Sequence, residues 1–342
     1  MSVRVLDQRT LNRALLARQL LLERATLDVP AALEQVAGLQ TQYAPSGYVG
    51  LWTRVAGFER DDLTRALEDR SAVQATLMRT TIHLVSRRDF WRFALGVRRA
   101  RREWAARVRT LPATDELAAR SDRLRAALEA GPRSVGELDG LAAGFIGTLS
   151  LWVDLVRVPP SGTWERRRAD RLALAEAWVG PEDATEAEGL VHLVRAYLHG
   201  FGPAAWRDIS GWAGIPVADV RRAAEGLTLV RYRDTAGREL VDLADERLPD
   251  AGTPAPVRFL PHFDNTLWVH ARRTGILPEH HRARVFSVRT PSSVGTILVD
   301  GQVAATWTAR AGRIVVEHLE ELSPADLAAV EREREALEAF SA

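Results

Sequence analysis

The stretch from Glu186 to Val241 constrains the fold more than any other part of the chain. Glu186–His199 reads as a helix, and a second helical run, Pro203–Ala213, stops at Gly214-Ile215-Pro216. Gly permits a left-handed turn and Pro cannot extend a helix, so the next run, Val217–Gly226, must leave in a new direction. Two β-type segments follow, Leu227-Thr228-Leu229-Val230 and Glu239-Leu240-Val241, joined through Asp234-Thr235-Ala236-Gly237. Helix, glycine-containing turn, helix and hairpin is the order of a helix-turn-helix with a wing.

The same order recurs twice upstream. Leu11, Leu15, Leu16, Leu20 and Leu22 keep helical spacing, and a second helix starts at Pro30 with Ala32, Leu33, Val36, Ala37 and Leu39. Pro45-Ser46-Gly47 breaks the pattern, Asp61–Asp69 forms a third helix, and Val73–Met78 and Thr81–Val85 form a hairpin. In the next copy Asp115–Ala130 is helical, Ser134 caps a short helix, Gly144–Leu155 forms another, and Val156-Arg157-Val158 enters a wing-like excursion at Pro159–Trp164. A Pro/Gly-rich linker, Leu248–Pro256, precedes strands at Val257–Leu260, Val285–Val288, Gly295–Val299, Val303–Trp307 and Ile314–Val316. Asp300-Gly301 is a hairpin turn between two of these, and Pro324–Phe340 is a closing helix. The chain therefore reads as α+β and predominantly α. Three tandem winged-helix modules (1–112, 113–184 and 185–248) precede a small antiparallel β domain with a C-terminal helix (257–342).

Composition removes several chemistries. The chain has no Cys, which excludes disulfides, thiolate metal sites and a Cys nucleophile. It also has no Lys: all 46 basic residues are Arg, so a P-loop lysine, a pyridoxal-type Schiff base and a lysine-driven lyase step are all unavailable. No apolar run approaches the roughly 18 residues of a membrane span, and the N-terminus lacks a signal-peptide core, which makes a cytoplasmic address the expectation. The net charge of +1 conceals segregation, since residues 87–109 carry nine Arg against Asp89 and Glu103, while residues 317–338 carry eight acids against two Arg. A basic segment of that density reads either as a phosphate-binding face or as a solvated helix.

Familiar catalytic motifs are absent: there is no Gly-x-Ser-x-Gly, no phosphate cradle and no His-Glu-x-x-His. His280-His281 reads as polar surface, because adjacent side chains rarely face one ion. His262 and Asp264 share a strand face, either as a polar cluster or as a catalytic pair. For Trp52, Trp91, Trp152 and Trp212 the reading is core packing, whereas Trp164, beside an Arg run, is open to stacking on DNA. Gln40-Thr41-Gln42 is a weak pattern when taken bare, and two exposed helix-terminal glutamines would explain it. Residues two apart point about 200° from one another on a helix but share a face in an extended segment. Both amides reach one target only if the second helix ends near Gln40, and Pro45 and Gly47 favour such an end.

Gly38–Tyr48 resembles a known family in its context, as do Leu77–Val85, Val156–Trp164 and Phe259-Leu260-Pro261-His262-Phe263-Asp264-Asn265. Together they are similar to the AlkZ-type bacterial DNA glycosylases, over nearly the whole chain. The resemblance implies tandem winged helices with a C-terminal β domain, and a catalytic Gln-x-Gln element mapping to Gln40 and Gln42. The middle residue is generally apolar in that family and is Thr41 here. It further implies a monomer without cofactor or metal, acting at the nucleoid on double-stranded DNA that contains alkylated purines, in resistance to DNA-alkylating natural products. With no Lys, such an enzyme would be monofunctional. Expected phosphate contacts are Arg98, Arg99, Arg101 and Arg102 on the basic helix, Arg166, Arg167 and Arg168 on the second wing, and Arg231, Arg233 and Arg238 on the third. Arg79 and His83 would touch DNA near the lesion. A noncatalytic winged-helix regulator and an interaction scaffold are the competing readings.

Overall fold

The computed structural model describes residues 3–142, 146–268, 275–286 and 293–342. The first helix, Gln8–Arg18, is capped by Asp7, whose carboxylate accepts from the Thr10 amide at 2.7 Å. It ends before Leu20, which is left-handed (φ 56°), so Leu20 and Leu22 fall outside the helix their spacing suggested. The second helix, Val29–Gln35, begins with Asp28 as cap and Pro30 in its first turn. It stops well before Leu39. The chain reverses through left-handed Ala37 and Gly38 and becomes the short strand Leu39–Gln40.

Pro45 starts a helix, Pro45–Trp52, where the sequence suggested only a break. A proline at the first helical position loses no hydrogen bond, because its missing N–H would have had no partner there. This helix lies close against the strand: a Cβ on Gly47 would sit 2.9 Å from the Thr41 methyl carbon. Helix Arg60–Glu68 and the hairpin Ala72–Thr76/Ile82–Ser86 complete the first group, and Ser86 caps the long helix Arg87–Val108. That helix packs on Glu186–Phe201 at Gly96 and Gly189, where the backbones approach so closely that a Cβ on Gly96 would meet the Gly189 carbonyl oxygen at 2.6 Å.

Three sheets organise the described residues. A six-stranded sheet runs from edge to edge as Leu39–Gln40, Ile82–Ser86, Ala72–Thr76, Leu155–Arg157, Arg171–Leu174 and Arg133–Ser134. The pairing Gln74↔Arg157 joins the first two helix–hairpin groups into one sheet. In the third group, Trp206–Ala213 ends at left-handed Gly214 and is followed by Val217–Ala224 and the hairpin Leu229–Asp234/Glu239–Leu243. Val5–Leu6 adds to this hairpin in parallel, tying the N-terminus to the third group. The last sheet is antiparallel, with strands Arg258–Leu260, Gly295–Val299, Gln302–Arg310 and Arg313–His318. Its Asp300-Gly301 turn has both residues left-handed (φ 44° and 80°), as a two-residue hairpin connection requires.

Two further expected elements differ. Val285 closes a short helix, Arg282–Val285, and residues 287–288 of the expected strand lie outside the described residues. Of the expected helix 144–155, residues 144–145 also lie outside, Ile146–Leu149 is helical, and Leu155 already begins a strand. The C-terminal helix, Pro324–Ser341, returns to the first group: Phe340 meets Trp52 at 5.8 Å, Phe58 at 6.0 Å and Trp164 at 5.7 Å. Trp164 is therefore half-buried packing rather than a free surface ring. Trp91 and Trp212 are buried in the core, and Trp52 and Trp152 pack against it. Among the described residues no helix is long and apolar enough to cross a membrane.

Candidate active site

Gln40 ends the short strand Leu39–Gln40 at the edge of the six-stranded sheet, opposite His83, and Gln42 lies two residues on, in a bend. Thr41 points the other way and is buried, and its amide donates to the Ile82 carbonyl at 2.8 Å. Gln40 is buried and Gln42 exposed. The Gln40 Oε1 accepts from Arg79 Nη2 at 3.0 Å, and the Gln42 Oε1 accepts from the Ile82 amide at 3.2 Å. Both partners are donors only, so each amide has one permitted orientation, and each oxygen retains a second lone pair.

Arg79 sits in the tight turn of the first hairpin with left-handed backbone (φ 52°). Its guanidinium bridges three parts of the chain, donating to the Trp212 carbonyl at 2.5 Å, to Gln40, and to the Asn265 Oδ1 at 3.3 Å. No carboxylate is within ion-pair distance of it among the described residues, and burial pushes its pKa down to about 10. It remains charged at neutral pH. Arg79 is thus an internal strut that holds Gln40.

His83 is also internal. It is fully buried, its Nδ1 donates to the Thr81 carbonyl at 3.0 Å, and burial, reinforced by the Arg79 charge, holds its pKa near 3. A neutral, enclosed imidazole cannot contact a phosphate, which corrects the expectation for His83.

The segment 261–266 brings the C-terminal region to the same place. Asp264 and Arg54, both buried, form an ion pair at 3.0 Å, and the Thr266 hydroxyl donates to Asp264 at 2.8 Å. Asp264 therefore belongs to a structural cluster. His262 is half-buried: its Nδ1 donates to the Ser293 carbonyl at 2.7 Å, and its ring meets Tyr43 at 6.0 Å and Trp307 at 6.0 Å. Tyr43 closes the rim, its hydroxyl accepting from Arg167 Nη1 at 3.0 Å. The sequence reading missed Tyr43 and Asn265 as site residues, although both lie inside the segments that carry the family resemblance.

The basic helix does not join this site. Arg98 pairs with Asp154 at 2.7 Å and with Glu182, while Arg99 pairs with Glu186 at 2.9 Å and Asp219 at 2.8 Å. Arg101 is buried against the Thr76 carbonyl, 3.6 Å from Asp154, and burial lowers its pKa to about 10. Arg102 donates to the carbonyls of Leu151 at 3.1 Å and Trp152 at 3.3 Å. Arg101 has no outward reach, and the other three are engaged by acceptors of the chain, Arg99 while still exposed, so the expected phosphate face of this helix is mostly taken up by ties within the chain. The remaining expected contacts are exposed. Arg166 and Arg233 lie at the surface, Arg168 is 3.1 Å from Asp170, Arg231 is 3.0 Å from Glu239, and Arg238 is 3.1 Å from Asp234. His280 is exposed, but His281 is buried and lies 3.7 Å from Glu320. No group of three metal-ligating side chains occurs among the described residues.

Comparison with known proteins gives two findings and one negative. The family described as DNA glycosylase AlkZ-like matches residues 33–340. The Streptomyces sahachiroi DNA glycosylase AlkZ shares the fold with a TM-score of 0.82, covering 98% of this chain and 97% of that one at 18% identity. No curated protein sequence matches the chain. With nearly the full length matched, the chain belongs to the AlkZ-like DNA glycosylase family.

Proposed function

We propose that this protein is a monofunctional DNA glycosylase that hydrolyses the N-glycosidic bond of cationic N-alkylated purines, bulky and crosslinking adducts included. The observation that carries the reading is the placement of Gln40 and Gln42 two residues apart at a sheet edge, with each amide oriented by a fixed donor. The helix–helix–hairpin groups serve in it as three winged-helix modules of a monomer that grips duplex DNA.

The chemistry follows from what two neutral amides can do. An N7- or N3-alkylated purine already carries positive charge, so it leaves without a strong acid. As the C1′–N bond breaks, its electrons pass to the base, which departs neutral, and positive charge develops on the sugar. Water adds to C1′ and releases its proton to solvent. The free lone pairs of Gln40 Oε1 and Gln42 Oε1 can hold that water and direct negative dipole ends at the sugar cation. Fixing the dipoles beforehand avoids reorganisation during the reaction. Without Lys, no lysine Schiff base forms, and in this reading the strand is left uncut at an abasic site. Bases that are neutral should be poor substrates. The exposed arginines Arg166, Arg167 and Arg168, tied to the site through the Arg167–Tyr43 contact, are the nearest candidate phosphate contacts, with Arg231 and Arg233 further along the duplex. Such an activity suits resistance to DNA-alkylating natural products.

The test uses a duplex carrying N7-methylguanine, with abasic sites revealed by alkali. Wild-type protein releases the base, and Gln40→Ala and Gln42→Ala each slow release by about 100-fold while duplex binding is kept. Unchanged release by the double variant refutes this mechanism. Binding without any release by the wild type would favour a noncatalytic DNA-binding protein.

A further inference from the structure

The residue after Gln42 has a role that neither the core nor the hydrolysis explains. Of the large apolar side chains left exposed among the described residues, six are Val or Leu and one is aromatic, Tyr43, at 39% exposure. It belongs to none of the buried clusters. Yet its ring is held at two points: the hydroxyl accepts from Arg167 Nη1 at 3.0 Å, and the His262 ring stands nearly perpendicular to it (75°) at 6.0 Å. His262 is itself fixed by the Ser293 carbonyl and Trp307. An aromatic ring that is both exposed and immobilised is pre-organised to receive a flat partner, since little side-chain freedom remains to be lost on contact.

We propose that Tyr43 is the stacking platform for the alkylated base and the residue by which the site distinguishes a cationic base from a neutral one of the same shape. This rests on the glycosylase reading and deepens it. Any base gains from stacking on an aromatic side chain. A cationic base gains more, because its charge is drawn to the negative face of the phenol ring. The extra attraction exists in the bound substrate and fades as the base departs neutral. It therefore strengthens binding of the lesion rather than accelerating bond cleavage, and it lets the product go.

The test compares equilibrium binding of two duplexes. One holds N7-methylguanine stabilised by a 2′-fluoro sugar, and the other holds 7-deaza-7-methylguanine, its neutral isostere. Wild-type protein should favour the cationic duplex by about tenfold. Tyr43→Leu should bring the ratio close to one, and Tyr43→Phe, which keeps the ring and loses the Arg167 contact, should keep most of the preference. A Tyr43→Leu variant that retains the wild-type ratio overturns the proposal, as does a Tyr43→Phe variant that loses the ratio to the same extent as Leu. Base release from an unfluorinated N7-methylguanine duplex by wild-type protein, run in parallel, reports separately on the glycosylase reading.

Discussion

The helix Arg87–Val108 and the strand Leu39–Gln40 use polar side chains in opposite ways. The helix region is dense in charge, yet Arg98 and Arg99 end on carboxylates of Asp154, Glu182, Glu186 and Asp219, and Arg101 and Arg102 end on backbone carbonyls. The strand carries no charge, yet Gln40, the adjoining Gln42, Arg79 and Asn265 converge there from three distant stretches of chain. Charge density along a sequence measures supply, not availability. A guanidinium is less available to DNA when the fold gathers several acceptors or buries it, and the acceptors that tertiary packing brings to this helix lie roughly 25–120 residues away.

The comparison breaks most visibly at Arg79. If the strand is the working region, Arg79→Met should lower kcat for base release by about 10- to 100-fold, with a smaller rise in KM, because Gln40 loses the donor that orients it. Arg79→Lys, which restores a charged donor of different shape, should recover part of kcat. Thermal unfolding of the same variants separates this from loss of the Trp212 tie. Wild-type kcat in a folded Arg79→Met protein would mean that Gln40 needs no anchor.

Acid sharpens the contrast next. His83 in the native protein titrates near 3 and His192, half-buried beside the basic helix, near 4, both below the ordinary value of 6.5. Below pH 6.5 the unfolded chain takes up protons that the native state refuses, so stability is complete above that pH and falls as pH decreases. Each histidine should cost about 2 kcal/mol between pH 6.5 and 5. Denaturant titrations at the two pH values should show that loss, and His83→Asn should halve the part due to these two groups. A pH-independent midpoint would contradict the burial of both.

The smallest effect concerns salt. Arg98→Gln with Arg99→Gln should leave the salt dependence of duplex binding within about one phosphate contact of wild type, while Arg166→Gln with Arg168→Gln should reduce it by about two. The reverse result would return the DNA face to the helix.

Much of the architecture was legible because its signals are local. Gly214 at a left-handed turn, Asp300-Gly301 in a two-residue hairpin and Pro30 in a first helical turn each act through the backbone of the residue itself. Pro45 shows the limit: a break and a helix start look alike in one dimension, and only the strand beneath Gly47 distinguishes them. The glutamine spacing was legible as well, as a requirement that the chain be extended from Gln40 to Gln42. The chain is extended at Leu39–Gln40 because the second helix stops at Gln35 and the chain reverses at Ala37–Gly38, whereas Gln42 already lies in a bend.

Sequence by itself determined which chemistries are open: no thiol, no lysine amine, and two neutral amides two residues apart where the chain leaves a helix. Tertiary structure alone decided which polar groups face outward. It turned Arg79, His83 and Arg101 inward, tied Arg98 and Arg99 to distant acids, and left Tyr43 standing beside Gln42. The physical reason is that backbone preferences act over a few residues, whereas desolvation and pairing of a charge depend on every segment packed against it.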